Sequence, residues 1–577
     1  MYSWITTVSL RNPSTFLSIY NKNIFYSPLI GGALRYCYSS SLPQKFSMDN
    51  KSTSSSTTTT AINTITLDSF LSSIYKHIHS EIHNQQTIKL NDSANKESSL
   101  PQFNAVLGNE AGDADSIISS IALSYVLQLK QQEIPNDNNN SPCWYSFPII
   151  SIPRKDMKLR RDVTLLLSLC QLSSLYTKYE CIYIDDIINQ VETSKDDTVF
   201  SAICRSLFHM QDDNIPTNNN HENINTDTST SSQPSLHLTL VDHNKLRSSL
   251  WHLHHYVDQI WDHHWDEGYH RNSQVRNIAF DSVNMTALVG STCTLVTEEL
   301  QRVLSFVSNG EKGSIPNSHI DPALSLALLG VILMDTMNMN IEAGKGTYRD
   351  QHAIDFLIQH TNWESFVASS SSQYKDGEIQ LKPYYNRIFE ISSESDIECN
   401  LKHSVLPNRT ALYEILRDCK LDPQFWLEMS IEEALRMDYK TFHSSQESSF
   451  TFGLSSVLLP YSTLQEKDNF QSSVFDFIQS QQIQCLGILS LVLENDVPRR
   501  EISIVGPKDI VQSLTRYFIT SEDASFLALS VPKDKKPKAI NGDTCDCDFI
   551  ITTLQQGNSK ASRKQIAPVI QSFASNL

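Results

Sequence analysis

The feature that most constrains this chain is a repeated ending: apolar runs of strand length stop at acidic residues or histidines. Phe103–Leu107 leads into Gly108, Asn109, Glu110, Ala111, Gly112, Asp113, Ala114, Asp115 and Ser116. Leu236–Val241 leads into Asp242, His243 and Asn244, and Val257–Trp261 into Asp262, His263 and His264. The apolar run ending at Met334 stops at Asp335 and is read the same way. Between these runs Ile117–Leu129 and Asp162–Leu175 have helical periodicity, and Cys181–Ile184 reads as a further strand. Strands alternating with helices predict an α/β fold with a doubly wound parallel sheet. The carboxyl ends of the strands in such a sheet line one crevice, and ligands bind there. The acids and imidazoles are therefore predicted to meet.

Carboxylates brought that close repel one another by several kcal/mol at about 4 Å in a medium of low effective dielectric. Bound cations relieve this. Oxygen donors with one or two imidazoles suit Mg²⁺ or Mn²⁺ first, with Co²⁺ or Zn²⁺ next. Taken singly, each motif has a plainer reading: an isolated Asp-x-Asp is usually a loop or a helix cap. Their recurrence at successive strand ends favours the metal reading.

Composition excludes other classes. The 577 residues carry 46 Lys and Arg against 64 Asp and Glu, a formal net charge of −18, so no general basic field exists to hold a nucleic-acid polymer. The longest apolar run, Ala323–Met334, is far short of the ~20 residues a membrane helix needs, so no membrane partner is expected. Eleven cysteines without C-x-x-C spacing, Cys545 and Cys547 among them, read as reduced thiols. The sequence leaves the oligomeric state open.

Residues 1–60 are expected to form a leader. Met1–Ser47 holds Arg11, Lys22, Arg35 and Lys45 and no Asp or Glu, the composition of a mitochondrial transit peptide. Met48 could serve as a second start, so the expected location is the cytoplasm, the mitochondrial matrix, or both. Lys51–Thr60, Asn136–Asn140 and a polar insert at 211–235 are too poor in apolar residues to repay their ordering. One domain is predicted over 65–363, a linker over 364–406, and a smaller α/β domain over 407–577. In the latter Arg409–Lys420 and Ile431–Met437 read as helices, Phe452–Leu459 and Cys485–Leu493 as strands, with a last helix after Pro568.

These motifs resemble, in order, the four of the DHH phosphoesterases, in the branch of exopolyphosphatases, prune-like proteins and family II inorganic pyrophosphatases. Gly108–Ser116 looks like the first, Val241–Asn244 the second, Asp262–His264 the third and Leu333–Thr336 the fourth. Supporting stretches also match: Ile152–Arg154 through Leu159–Asp162, Gly290–Thr294 and Leu435–Lys440. Ala561–Gln565 resembles the signature of the DHH-associated second domain. The likeness runs over about 95–577 and implies an active site in the cleft between the two domains. Pyrophosphatases of this family have His where this chain has Asn109, which points to the exopolyphosphatase and prune-like branch.

The resemblance implies two divalent ions. Asp113 would bind the first, Asp242 would bridge both, and Asp115, His263 and Asp335 would complete the second. Asn109, placed with the catalytic residues, would be at best a weak or indirect ligand. Asp262 would orient the histidine pair, and His264 would contact the transferring phosphoryl group. Arg563 and Lys564 would reach in from the second domain to hold phosphate, for which a guanidinium fork is well matched, and Arg154 is a further candidate for the phosphate chain. The implied reaction is hydrolysis of the terminal phosphate of inorganic polyphosphate by water activated between two metals. A prune-like hydrolase of short-chain or nucleoside polyphosphates or cyclic nucleotides, a manganese-dependent pyrophosphatase and a catalytically weak scaffold are the alternatives.

Overall fold

A computed structural model describes residues 65–90, 101–133, 143–173, 181–188, 203, 207–208, 235–307, 320–341, 344–372, 381–391, 405–443, 450–494, 497–532, 538–540 and 549–575. The leader, the Lys51–Thr60 tract, the Asn136–Asn140 turn, nearly all of the 211–235 insert, and Cys545 with Cys547 lie outside the described residues.

The first lobe runs α1 (Leu67–Leu90), β1 (Gln102–Leu107), α2 (Ala114–Glu133), β2 (Trp144–Ile150), α3 (Arg161–Leu169), β3 (Ile182–Tyr183), α4 (Ile184–Ile188), β4 (Ser235–Val241), β5 (Val257–Asp262), β6 (Val275–Ile278) and the small hairpin β7 (Phe280–Asp281) and β8 (Thr286–Ala287). It continues through α5 (Thr292–Val307), α6 (Pro322–Asp335), α7 (Tyr348–Gln359), α8 (Trp363–Ser372), α9 (Lys382–Ile388) and α10 (Arg409–Lys420). Six parallel strands lie in the order β3-β2-β1-β4-β5-β6. The order reverses between β1 and β4, and that switch point is where a doubly wound sheet leaves a crevice. Central strands read as continuous apolar runs because both faces are covered: in β1, Phe103 to Leu107 are all buried.

Several expected elements are corrected. Ala323–Met334 is the body of helix α6, not a strand. Asp321 caps it by accepting from Ala323 N at 2.8 Å, and Pro322 occupies its first turn. A helix apolar on every side is a buried one, and Leu324 to Leu333 are all buried. The Cys181–Ile184 strand is only Ile182–Tyr183 and passes at once into α4, while the helix expected to reach Leu175 stops at Leu169. Strands β2 and β6 went unread. Pro148 interrupts β2, and Arg276 and Asn277 give the edge strand β6 no alternation to read.

The stretch 364–406, expected as a linker, carries most of α8 and all of α9. Trp363, Phe366, Tyr385 and Ile388 belong to the same core as the sheet, as do Leu412, Ile415 and Leu416 of α10. Their large apolar side chains find burial in the first lobe.

The second lobe contains α11 (Pro423–Glu428), α12 (Ile431–Arg436), β9 (Tyr439–His443), β10 (Thr451–Val457), α13 (Tyr461–Gln465), α14 (Phe470–Ser480), β11 (Cys485–Glu494), β12 (Val497–Pro507), α15 (Lys508–Thr520), β13 (Leu529–Ser530), β14 (Lys538–Ile540), β15 (Phe549–Gln556) and α16 (Arg563–Ala574). Its strands run β13-β15-β12-β11-β10-β9, with β14 against β15. The last helix begins at Arg563, well before Pro568, and Ser562 with Gln565 forms a capping box that starts it. Residues Ile65–Val492 and Arg499–Leu577 form one compact unit.

Candidate metal centre

The site is built where β1, β4 and β5 end. After β1 the loop 108–113 turns tightly into α2. Gly112 has φ of +53°, and a Cβ there would fall 2.2 Å from Ile152 Cγ2, so only glycine fits. Asp113 caps the helix by accepting from Ser116 N at 3.0 Å, and Asp115 lies in its first turn. Arg160, buried beyond the loop, donates from Nε to Gly112 O at 2.8 Å and from a terminal nitrogen to Ala111 O at 2.6 Å, which fixes the loop's outer wall.

At the end of β4, Asp242 has φ of +62°. A non-glycine residue in the left-handed region costs of order 1–3 kcal/mol and is held there by its surroundings. Its Oδ2 accepts from Ser116 Oγ at 2.8 Å and from Asn109 Nδ2. Its Oδ1 lies 3.5 Å from His263 Nε2 and 3.5 Å from His264 Nδ1. Burial alone would raise the Asp242 pKa. The hydrogen bond from His263 and the nearby imidazoles prevail and hold it well below the usual carboxylate range.

After β5, Asp262 is saturated. Its Oδ1 accepts from His263 N at 2.8 Å, His264 N at 3.1 Å and His264 Nδ1 at 2.8 Å, and its Oδ2 accepts from Asn244 Nδ2 at 2.6 Å. Against the cost of burial, the charge of His264 and its hydrogen bond lower the carboxyl to about 2. No oxygen of Asp262 is left over for a metal; it orients the pair. His263 Nδ1 donates to Val289 O at 3.0 Å, which turns Nε2 toward Asp242 and, at 3.8 Å, Asp115; without metal Nε2 donates to Asp242, and on losing that proton it would offer its lone pair to a cation. Metal-binding histidines are commonly held this way.

Asp115 is engaged by the start of α5: Ser291 Oγ donates at 2.7 Å, Thr292 N at 2.8 Å and Cys293 N at 3.0 Å. Even so, burial and then the charge of Asp242 push its carboxyl up to about 7. Asp335, at the end of α6, is driven well above the usual range by burial and by Asp115 and Asp113. Its Oδ2 is buried with no hydrogen-bond partner.

Ligand atoms of Asp242, His263 and His264 all lie within 4.8 Å of one another. That grouping, the partnerless oxygen of Asp335, the His263 Nε2 turned toward the carboxylates and the mutual strain of those carboxylates all fit divalent cations. Asp113, Asp115, Asp242, His263 and Asp335 would hold them. His264 was expected as a phosphoryl contact and also falls within reach. Asn109 stands behind Asp242 as a support: its Nδ2 donates to that carboxylate while its Oδ1 accepts from Ala111 N at 2.8 Å.

The second lobe supplies cations. Lys564 lies close enough that its charge disfavours protonation of both His263 and His264, and Lys440 on β9 helps keep Asp242 ionised. Arg563 is held by Asp438, donating to its carbonyl at 2.7 Å and pairing with its carboxylate at 2.7 Å. Arg154 is not brought to the cluster. Its guanidinium pairs with Asp186 at 2.8 Å over the Tyr183 ring, so the acid pair Asp185-Asp186 takes it locally. Lys440, Arg160 and Asn244 also contribute; all three lie in stretches that matched the family, but the sequence gives no sign of what each one touches.

The histidines 252, 254 and 255 lie apart from the cluster on a 3-10 helix, Ser248–Tyr256. A cavity of about 610 Å³ at the amino ends of β4 and β5 is lined there by His237, Trp251, His254, His255, Tyr269 and His270 among others. Its rings pack on one another, His254 and His255 at 3.6 Å between centroids. Among the described residues no helix is long and apolar enough to cross a membrane, and the cysteines are free thiols.

The family match agrees with a separate second lobe. Residues 426–573 match the DHHA2 domain, a span that starts just after α10. The putative exopolyphosphatase of Schizosaccharomyces pombe is 28% identical over 251 residues, covering 43% of this chain and 49% of the relative, so the match spans about half that protein's length. Human Exopolyphosphatase PRUNE1 is 20% identical over 472 residues, 81% of this chain and 75% of the relative. A structure titled putative family II inorganic pyrophosphatase, from Methanococcus jannaschii, overlaps 82% of this chain and all of its own at 15% identity and a TM-score of 0.38.

Proposed function

We propose that this chain, a DHH-family protein of the exopolyphosphatase and prune-like kind, is a metal-dependent hydrolase that removes the terminal phosphate of inorganic polyphosphate. The observation that carries this reading is the gathering of Asp242, His263 and His264 within 4.8 Å, beside an Asp335 oxygen that is buried and without a partner.

Two divalent cations, when bound, would supply an acidified water as nucleophile and neutralise charge on the phosphoryl group. The chain's own residues do the rest. Asp262 fixes the His264 ring through Nδ1 and supports its imidazolium form once a phosphate dianion is near, so that Nε2 can donate to the transferring group. Lys440, Lys564 and Arg563 hold the substrate's oxygens from the opposite lobe, which lets an acidic protein bind a polyanion. Asn109 and Ser116 keep Asp242 in its left-handed conformation.

One observation favours short substrates as a second reading. Arg154, a candidate for holding the phosphate chain, is paired with Asp186. The test is phosphate release by the purified full chain, with Mg²⁺ or Mn²⁺, from long-chain polyphosphate, tripolyphosphate, pyrophosphate and a cyclic nucleotide, with Asp242→Ala as control. Release with stepwise shortening of the long chain supports the first reading. Turnover only of short or cyclic substrates supports the second, and no turnover of any would sink both.

A further inference from the structure

Residues 289–294 connect three of the proposed ligands. The carbonyl of Val289 accepts from His263 Nδ1 at 3.0 Å. Ser291 Oγ and the backbone of Thr292 and Cys293 reach the Asp115 carboxylate. Between them Gly290 lies against Thr336, the neighbour of Asp335: a Cβ at 290 would fall 2.7 Å from Thr336 Cγ2. A shift of this short segment would therefore disturb His263, Asp115 and the end of α6 together.

Asp350 holds the segment in place. It is the third residue of α7 and is fully buried. Gly290 N donates to both its oxygens, at 3.0 and 2.9 Å, and Thr294 Oγ1 donates to Oδ1 at 2.5 Å. Thr347 N and Oγ1 donate to Oδ2 at 2.7 and 2.9 Å. The bond from Thr347 N is half of a helix capping box, whose other half is Thr347 Oγ1 accepting from the Asp350 backbone. Capping does not account for the bonds to Gly290 and Thr294, which lie 60 and 56 residues away in sequence.

We propose that Asp350 is a positioning residue for the metal centre: by clamping Gly290 and Thr294 it sets the 289–294 segment, and through it the His263 ring and the Asp115 carboxylate against Asp335. This rests on reading the site as a divalent-metal centre. Ligands must be held to within about 0.5 Å of working geometry. Loss of an outer partner that orients a ligand typically costs 10–100-fold in metal affinity.

The test compares Asp350→Asn, Thr294→Val and Thr347→Ala in the full chain by Mn²⁺ titration, read from the electron paramagnetic resonance of free Mn²⁺, beside thermal melts in EDTA. Asp350→Asn keeps the shape but turns an amide donor toward donors, and its Mn²⁺ affinity is expected to fall about 10–100-fold. Thr294→Val should weaken it in the same direction but less. Thr347→Ala, which strips the cap and one donor to Asp350 Oδ2 but leaves the bonds to Gly290 and Thr294, should melt lower and lose less Mn²⁺ affinity than Asp350→Asn. Unchanged Mn²⁺ affinity in folded Asp350→Asn would overturn the proposal. If that variant does not fold, Thr294→Val decides in its place, by the same criterion. A wild-type chain that takes up no Mn²⁺ would overturn the metal reading itself, and this proposal with it.

Discussion

Asn109 and Asp242 meet side chain to side chain at the sheet's switch point, with Asn109 Nδ2 donating to Asp242 Oδ2 and also lying 3.4 Å from the Asp242 carbonyl. The amide oxygen of the same Asn109 holds the β1 loop at Ala111 and Gly112. One side chain thus fastens two strand ends to each other.

Asn109→Ala removes that fastening and leaves buried groups unpaired, at a cost of about 1–3 kcal/mol. Urea unfolding should show this loss, together with a fall in phosphate release. A variant as stable and as active as the wild type would remove Asn109 from the site.

Asp242→Asn keeps a residue that tolerates the left-handed backbone but removes the anionic oxygen shared by the proposed cations. Phosphate release is expected to drop by about a thousandfold or more, as when a group central to stabilising developing charge is lost. The metal-free melting temperature should fall, because the Asp242 carboxylate is held ionised by His263 and His264 and so stabilises the fold at neutral pH. Substantial activity in the folded, metal-saturated variant would contradict the two-cation mechanism.

Stability of the metal-free protein should fall as pH rises. The Asp115 carboxyl at about 7, against an ordinary 3.8, keeps a proton in the folded state that the unfolded chain has released, so its contribution declines between about pH 4 and 7. His263, raised to about 9 from 6.5 by its hydrogen bond to Asp242 and by the charges of Asp115 and Asp242 despite burial, declines in the same direction between about 6.5 and 9. Asp242 and Asp262 act oppositely below about pH 4, and His243, His264 and His270, whose protonation burial disfavours, act oppositely below about pH 6.5. Each group contributes at most ~1.4 kcal/mol per pH unit. Melts in EDTA from about pH 6.5 to 9 should show the decline, and Mg²⁺ or Mn²⁺ should flatten it. A metal-free melting temperature that climbs over that range would contradict the electrostatics described.

Arg563→Ala should raise KM for polyphosphate more than it lowers kcat, with Mn²⁺ affinity unchanged. Asp438→Asn, which loosens the hold on Arg563, should move KM without disturbing the metal. Loss of bound metal in Arg563→Ala would place that arginine at the cations and not at the substrate.

Much of the site was legible because its groups sit at strand ends: Asp113, Asp115, Asp242, Asp262, His263 and His264 each follow an apolar run, and a parallel sheet sends such ends to one edge. Asp335 was found by the same sign although its run is a helix, since a buried helix and a buried strand look alike in composition. Arg154 stands apart from these. Its partner Asp186 lies 32 residues on, and nothing in spacing distinguishes a local ion pair from a substrate contact. Asp350 left no trace, because a fully buried carboxylate is identified by what surrounds it in space. The helices of 364–406 were hidden by flanking Ser-rich stretches, although Trp363, Phe366, Tyr385 and Ile388 carry the apolar weight that draws them into the first core.

Leu159 belongs to the first lobe by sequence and to the second by packing, for it is buried in the core that contains Trp426, Met429 and Ile431. The residue after it, Arg160, grips the loop that carries Asp113, and also reaches Met437 Sδ at 3.3 Å. The joint between the lobes is thus a peg in a socket beside the acidic loop, with polar pairs such as Arg436–Asp156 and Lys158–Glu433 around it. The loop that carries Asp113 is therefore anchored beside the point where a first-lobe side chain is seated in the second core, so a change that unseats Leu159 should reach the acidic site without touching any of its ligands.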